Sequence, residues 1–161
     1  MEKFKIYCGG EFIETSTPLE VVNPYNGEVF ATTFMANSSD LEIAISKAES
    51  IRMKMQNMPS FKRYQALMYI SDSLNEQIEY FAEILSKESG KPMIYSKGEI
   101  MRSVETFKIA AEESKRISGE VLQLDWTPAG ENKQGLVKYF PIGLVAGISP
   151  FNFPMNLAVH K

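Results

Sequence analysis

Short apolar segments alternate with turn residues over the first 36 positions of the chain. Gly9-Gly10 separates one pair of apolar segments, and Asn26-Gly27 separates a second pair. Both dipeptides readily adopt the positive φ angles that tight hairpin turns require. The pattern therefore predicts two β-hairpins at the beginning of the chain.

A helical period replaces this alternation from Ser38 onward. Ser39 and Glu42 have the spacing of a capping box at the start of the first helix, and Pro59 is expected to end it. Its apolar residues recur every three or four positions, at Leu41, Ile45, Ala48, Ile51 and Met55.

Two further amphipathic helices are predicted, over residues 60–88 and from residue 93 to about 118. Gly90 offers a left-handed cap between them, and Pro92 cannot continue the earlier helix. The apolar residues along one side of the second helix, its apolar stripe, are Leu67, Ile70, Leu74, Ile78, Phe81 and Leu85. The stripe of the third is Ile94, Met101, Val104, Ala111 and Ile117. Three such helices predict a layer that packs on a sheet or on itself.

The C-terminal part changes from helix to strand and loop. Residues 125–135 have a loop composition, and residues 136–140 alternate like a half-exposed strand. Residues 142–148, Ile-Gly-Leu-Val-Ala-Gly-Ile, are typical of a strand buried on both faces of a parallel sheet. Such a strand needs crossover units to cover it, and thirteen residues follow it here. The pattern predicts an α/β fold that is incomplete within this chain.

Composition narrows the class of partner. The 161 residues are 44% apolar, enough for one core, and carry a formal net charge of −3. That charge argues against a broad surface for nucleic acid or anionic lipid. No apolar run approaches the roughly 18–20 residues that span a bilayer, and the N-terminus lacks the apolar core of a secretion signal. We expect a cytoplasmic protein whose partner is a small molecule or another protein, with no nucleic acid and no membrane.

The residue types also limit the chemistry. His160 is the only histidine, so no histidine-based catalytic pair or histidine-rich metal site can be formed, and no metal site is predicted. Cys8 is the only cysteine and is expected to be inert packing in a strand. Gly143 and Gly147 do not have the glycine spacing of known phosphate-cradling loops.

Asn152 is the residue best placed for chemistry. It lies between two phenylalanines after Ser149-Pro150, where a predicted parallel strand ends. Ligands of open α/β sheets bind in the crevice beyond such strand ends, and an asparagine there could donate its amide N–H to a developing oxyanion. Asn152 could instead cap a helix that begins near Pro154. The residues alone favour the cap.

Residues 141–154, Pro-Ile-Gly-Leu-Val-Ala-Gly-Ile-Ser-Pro-Phe-Asn-Phe-Pro, resemble the aldehyde dehydrogenase superfamily, in which a Pro-aromatic-Asn-aromatic-Pro segment follows a strand of this composition. Further landmarks of that family occur in its order, at residues 21–28, Lys62-Arg63, residues 88–92 and Gly119-Glu120. The resemblance covers essentially the whole chain. It implies the N-terminal part of that fold: β-hairpins, a helical layer and the first strand of a Rossmann-like cofactor domain.

The resemblance also implies an organisation in three parts. Residues 1–124 are expected to form the hairpins and helical layer of the cofactor-binding domain. Residues 125–141 are expected to form a bridging strand that pairs subunits, and residues 142–161 the first strand and following segment of the NAD(P)-binding core.

By the same resemblance, individual residues acquire roles. Asn152 is similar to the asparagine that donates to the thiohemiacetal oxyanion, which favours the catalytic interpretation over the cap. Phe153 is similar to a substrate-tunnel residue. The residues that resemble the wall against which NAD or NADP lies are Ile148, Ser149, Pro150 and Phe151.

Residues 98–102 resemble the branch of lactaldehyde and non-phosphorylating glyceraldehyde-3-phosphate dehydrogenases. In that branch an arginine at the position of Arg102 faces the substrate entrance, where a guanidinium suits a phosphate or carboxylate. The resemblance therefore implies a small hydroxylated or anionic aldehyde as substrate. The alternative is an ordinary surface arginine.

In this family the nucleophilic cysteine, the water-activating glutamate and the ribose-binding lysine all lie downstream of the segment that ends here. This chain is therefore expected to be inactive alone. The complete protein is expected to oxidise an aldehyde to a carboxylic acid with NAD or NADP, as a homodimer or homotetramer. A non-catalytic structural or interaction module derived from the fold is the alternative. A free-standing nucleotide-binding domain is disfavoured by the single parallel strand.

Overall fold

The computed structural model describes residues 2–161, which form seven short strands, six α-helices and one 3₁₀ turn at Pro128–Gly130. The strands are β1 (Glu2–Lys3), β2 (Ile6–Cys8), β3 (Glu11–Ile13), β4 (Pro18–Val22), β5 (Val29–Phe34), β6 (Glu120–Gln123) and β7 (Gln134–Val137). The helices are α1 (Ser38–Ser50), α2 (Arg52–Gln56), α3 (Ser60–Glu76), α4 (Ile78–Ser89), α5 (Met93–Glu113) and α6 (Pro154–Val159).

Both predicted hairpins are confirmed. Strand β2 pairs antiparallel with β3 across Gly9 and Gly10, whose φ angles are +59° and +96°. Strand β4 pairs antiparallel with β5 across a turn in which Gly27 has a φ of +74°. The pattern did not indicate β1, which is two residues long and pairs in parallel with β5. The resulting sheet has the order β1-β5-β4.

Helix α1 begins with a capping box other than the predicted one. The Asn37 side-chain oxygen accepts hydrogen bonds from the amides of Ser39 (2.8 Å) and Asp40 (3.1 Å). The Asp40 carboxylate in turn accepts from the Asn37 amide at 2.9 Å. The predicted box of Ser39 and Glu42 is therefore wrong, because the reciprocal pair stands two residues earlier.

The first two predicted helices are each divided in the structure. The first is interrupted at Ile51 and the second at Gln77, where the backbone amide donates to the carbonyl three residues earlier, at 3.3 Å and 3.1 Å. This tighter bond marks the end of one helix, and the next helix begins at the following residue. The third helix ends at Glu113, before its predicted end near Ser118. Neither break carries proline or glycine, so composition did not indicate it.

The main core lies where α3, α4 and α6 pack on α5. Ala82 and Leu85 of α4 form its central cluster with Ile100 of α5. The partly buried apolar residues packed against this cluster are Ile78, Phe81, Met93 and Met155. Because Met155 belongs to α6, the core joins the C-terminal helix to the middle of the helical layer.

Buried serines line the contact between α3 and α5. Ser71, Ser96 and Ser103 are fully buried, and the Ser71 hydroxyl donates to the carbonyl of Val104 at 3.0 Å. Small side chains allow two helix backbones to approach closely. The Ser103 hydroxyl donates to the carbonyl of Glu99 at 3.1 Å, whereas the Ser96 hydroxyl has no partner among the described residues.

The predicted stripe of the third helix is partly wrong. Val104 and Ala111 are buried as expected, but Ile94 is 75% exposed and Met101 is 56% exposed. The buried face is centred on Ile100, which is 1% exposed. Polar residues share that face, so the apolar pattern placed Ile94 and Met101 on it wrongly.

Helix α1 carries no buried residue. The stripe predicted for the first helix lies largely at the surface, with exposed side chains at Leu41, Ile45, Ile51 and Met55. An apolar face of this length in a folded protein is normally covered by another element.

The C-terminal part contains one of the two predicted strands. The strand expected at residues 136–140 is present in part as β7, and it pairs antiparallel with β6, which the pattern missed. The parallel strand expected at residues 142–148 is not formed, and Ile142 in that segment is 88% exposed. A strand requires a hydrogen-bonded neighbour, and no strand among residues 2–161 lies beside this segment.

Within the same residues, no helix is long and apolar enough to cross a membrane.

Candidate functional site

Lys91 is fixed at the junction between α4 and α5. Gly90 ends α4 in the left-handed conformation that its sequence predicted, with a φ of +68°. The Ser86 hydroxyl then donates to the carbonyl of Lys91 at 2.7 Å, and Pro92 is the N-cap residue of α5. With its backbone held in this way, the Lys91 ammonium reaches the carboxylate of Glu99 on α5.

Glu99 is a buried carboxylate that caps α6 from another helix. It is 2% exposed, and its Oε1 atom accepts hydrogen bonds from the amides of Met155 (3.0 Å) and Asn156 (3.1 Å). Its Oε2 atom pairs with the ammonium of Lys91. The first amides of a helix lack intrahelical acceptors, and a negative charge at that end is stabilised by the helix dipole.

Asn152 lies on the loop that leads into α6. Its carbonyl oxygen accepts a hydrogen bond from the Lys91 ammonium at 3.3 Å. The N-cap residue of α6 is Phe153, and neither its side chain nor that of Asn152 makes a capping hydrogen bond to the helix. The interpretation of Asn152 as a helix cap is therefore wrong. Its exposed carboxamide is left available to a ligand.

A groove of about 410 Å³ lies beside this loop. Two cations lie over the ring of Phe153: the Lys91 ammonium is 4.5 Å from the ring centroid and the Arg102 guanidinium carbon is 5.6 Å from it. The residues that line the groove are Lys91, Ile94, Tyr95, Gly98, Glu99, Arg102 and Phe153. The structure thus brings Arg102 and Phe153 together, next to Asn152.

The expected cofactor wall does not line this groove. Ile148, Ser149, Pro150 and Phe151 are all exposed, and Phe151 is 92% exposed. Such apolar, uncovered side chains fit one wall of a site for a dinucleotide with aromatic rings. The sequence around them, residues 142–154, contains neither a glycine-rich phosphate loop nor an arginine.

Two further features of the described residues bear on chemistry: the grouping of metal-ligating side chains and the surroundings of the thiol. No group of three or more His, Cys, Asp or Glu side chains is placed to hold a metal ion among residues 2–161. The Cys8 thiol is partly buried in β2 and donates to the carbonyl of Asp40 at 3.3 Å. It is therefore placed as a packing residue in the first hairpin.

Sequence reasoning missed the Lys91–Glu99 pair. Lys91 falls within the family landmark at residues 88–92 and Glu99 within residues 98–102, but the sequence predicts no role for either. Glu99 stands three residues after Ser96 and one before Ile100, so it lies on the buried face of α5. A correct assignment of that face would have shown a carboxylate in a buried position, which requires a partner.

The described fold is a mixed α/β segment whose solved counterparts are aldehyde dehydrogenases. It matches aldehyde dehydrogenase 21 from Physcomitrella patens in complex with the reaction product succinate, with a TM-score of 0.96 and 37% identity, over 99% of this chain and 34% of that one. It also matches an NADP-dependent glyceraldehyde-3-phosphate dehydrogenase from Bacillus halodurans complexed with NADP, with a TM-score of 0.91 and 29% identity, over 100% of this chain and 34% of that one.

A sequence model of the aldehyde dehydrogenase family matches residues 12–161, and the chain belongs to that family. It is 37% identical to a 3-sulfolactaldehyde dehydrogenase from Priestia aryabhattai over 161 residues, which are 100% of this chain and 33% of that protein. It is 36% identical to a lactaldehyde dehydrogenase from Methanocaldococcus jannaschii, over 97% of this chain and 32% of that protein. The chain spans about a third of the length of these relatives, the N-terminal third.

Proposed function

We propose that this chain is the N-terminal third of an NAD(P)-dependent enzyme that oxidises a small aldehyde to a carboxylic acid. The observation that carries the proposal is the exposed carboxamide of Asn152, on a loop whose backbone is anchored by Lys91, in a chain of this family. Solved relatives that are complexed with NADP support the choice of cofactor class.

Asn152 would act on the oxygen of the reacting aldehyde. When a thiolate adds to the aldehyde carbon, the carbonyl oxygen gains negative charge, and the Asn152 amide N–H donates a hydrogen bond to it. The thiolate comes from residues beyond this chain, since Cys8 lies in the first hairpin. Bound NAD(P)⁺ supplies a hydride acceptor. Ile148, Ser149, Pro150 and Phe151 would form one wall of the cofactor site.

We assign the contact between subunits to residues 125–141, which lie between the helical layer and the C-terminal segment. Strands β6 and β7 form an isolated two-stranded ribbon, on which Val121 and Leu136 are 65% and 79% exposed. A two-stranded ribbon with apolar residues on its surface is marginal without further cover. Residues 125–141 would therefore pair subunits, in a dimer or tetramer of the complete protein.

Activity of the complete protein tests the proposed function. We expect reduction of NAD⁺ or NADP⁺, followed by the absorbance of the reduced nicotinamide, with one or more small aldehydes. The 161-residue chain alone is expected to give no rate above background, because it holds no cysteine near Asn152 in sequence. Turnover by the isolated chain would contradict the covalent mechanism, and an inactive complete protein would contradict the function.

Arg102 is proposed to select a small anionic or hydroxylated aldehyde. Its guanidinium lies beside the Phe153 ring, with Lys91 on the same groove. The charge of Lys91 is paired with Glu99 on the same groove, whereas Arg102 forms no ion pair among the described residues. The Arg102 guanidinium therefore favours an anionic group there. Relatives named for lactaldehyde, 3-sulfolactaldehyde and glyceraldehyde-3-phosphate support this substrate class.

Arg102→Ala in the complete enzyme is expected to raise KM for an anionic aldehyde by about tenfold or more, since a hydrogen bond to a charged group contributes about 1.5–3 kcal/mol. KM for a neutral aldehyde should change little. Steady-state kinetics on both substrates measures the difference. Lys108→Ala, which removes a positive charge from an ion pair with Glu105 on the same helix, is the matched control. Equal effects of the two variants would show that Arg102 is an ordinary surface residue.

A further inference from the structure

The Lys91–Glu99 pair holds the loop of Asn152 from both sides. On one side, the Lys91 ammonium donates to the carbonyl of Asn152 itself at 3.3 Å. On the other side, the Glu99 carboxylate accepts from the amides of Met155 and Asn156 at 3.0 Å and 3.1 Å. The two side chains are joined by their own ion pair. Three peptide groups between residues 152 and 156 are thus held by one pair of charges.

The arrangement is costly as a purely structural device. Glu99 is 2% exposed, and a buried charge must recover its lost hydration through its partners. Well-packed apolar residues often replace buried ion pairs without loss of stability. A carboxylate that accepts three donors does, however, fix geometry with a directional precision that apolar packing lacks.

We propose that Glu99 and Lys91 are positioning residues for Asn152, and this inference rests on the proposed function. Neither donates to the reacting oxygen. Together they hold the loop backbone so that the Asn152 amide is preorganised for the oxyanion. A donor displaced by about 1 Å can cost as much as 10²-fold in rate. Loss of Glu99 or Lys91 should therefore lower kcat, because it displaces the Asn152 amide.

A double-mutant cycle on the complete enzyme tests the inference. Glu99→Ala is expected to lower kcat by about 10- to 100-fold when Asn152 is present. In the Asn152→Ala background the same change should have little further effect on kcat, because the donor that Glu99 positions is already gone. A general structural defect would lower kcat by the same factor in both backgrounds, and that result would overturn the proposal.

Conservative variants keep the test valid if Glu99→Ala folds poorly. Glu99→Gln retains an acceptor for the two amides of α6 and is expected to recover most of kcat. Lys91→Met keeps an unbranched side chain but loses the bond from the ammonium to the Asn152 carbonyl. Its effect on kcat should therefore also depend on whether Asn152 is present. Glu113→Ala removes an exposed glutamate at the end of α5 and is the matched control. No recovery in Glu99→Gln, with full loss in both backgrounds, would count against positioning.

Hydrogen exchange separates this inference from the proposed function. In Glu99→Ala, the amides of Met155 and Asn156 should exchange faster than in the wild type, measured by mass spectrometry on the peptide that contains them. Glu113→Ala should leave their exchange unchanged. If the complete protein oxidised no aldehyde, the proposed function would fail, whereas the exchange rates would still decide whether Glu99 holds the loop. Unchanged exchange in Glu99→Ala would overturn the inference by itself.

Discussion

Replacing Asn152 by alanine in the complete enzyme is expected to lower kcat by about 10²- to 10³-fold, the loss typical of removing one oxyanion donor. The hydrogen bond to the oxygen strengthens as charge develops on it, so the transition state loses more than the bound aldehyde. KM should therefore change little while kcat and kcat/KM fall together. Steady-state kinetics with a saturating cofactor measures both quantities.

The structure also predicts that this loss is not a loss of stability. The Asn152 carboxamide is exposed and makes no capping bond to α6. Thermal unfolding of Asn152→Ala should thus match the wild type. Asn152→Asp keeps the size of the side chain but removes the N–H donor and adds a negative charge near the oxyanion, so its kcat should fall at least as far. Wild-type kcat in either variant would exclude Asn152 as the donor.

Ile100→Ala is expected to lower the free energy of unfolding by about 2–5 kcal/mol, the usual cost of truncating a buried aliphatic side chain. Ile100 is 1% exposed and packs with Ala82 and Leu85 at the junction of α4 and α5. The truncation would leave a cavity that the surrounding helices can fill only in part. Urea denaturation followed by circular dichroism measures the loss.

Ile94→Ala is the matched control, because it makes the same change on the same helix at a side chain that is 75% exposed. Its effect should stay within about 0.5 kcal/mol. The pair decides which face of α5 is buried, since the sequence pattern places Ile94 inside and the structure places Ile100 there. A larger loss in Ile94→Ala than in Ile100→Ala would favour the sequence pattern.

Local chemistry explains which elements could be predicted. The hairpin turns at Gly9-Gly10 and Gly27 and the cap at Gly90 depend on backbone angles that glycine alone adopts freely. The helix breaks at Ile51 and Gln77 depend on tertiary packing and have no such residue, so they were missed. The parallel strand at residues 142–148 has the right composition but needs neighbouring strands that the described residues do not supply.

The site shows the same division. Asn152 is a candidate from its place after a predicted strand, and the resemblance favours its catalytic role and adds Arg102. Their catalytic and substrate-binding roles remain predictions. Glu99 and Lys91 emerged only from the structure, because their contacts with the loop of Asn152 and with α6 reach more than fifty positions along the sequence. No local pattern encodes a contact of that range. The buried serines of α5 added to the difficulty by making its core face look polar.

The uncovered segment at residues 142–148 has a consequence for biosynthesis. In a family member this third leaves the ribosome before the parts that would cover it, since domains are made from the N-terminus onward. Until then, its unpaired backbone amides and carbonyls and its apolar side chains form an open edge that another chain could join. We therefore expect molecular chaperones that recognise extended apolar segments to bind this region first.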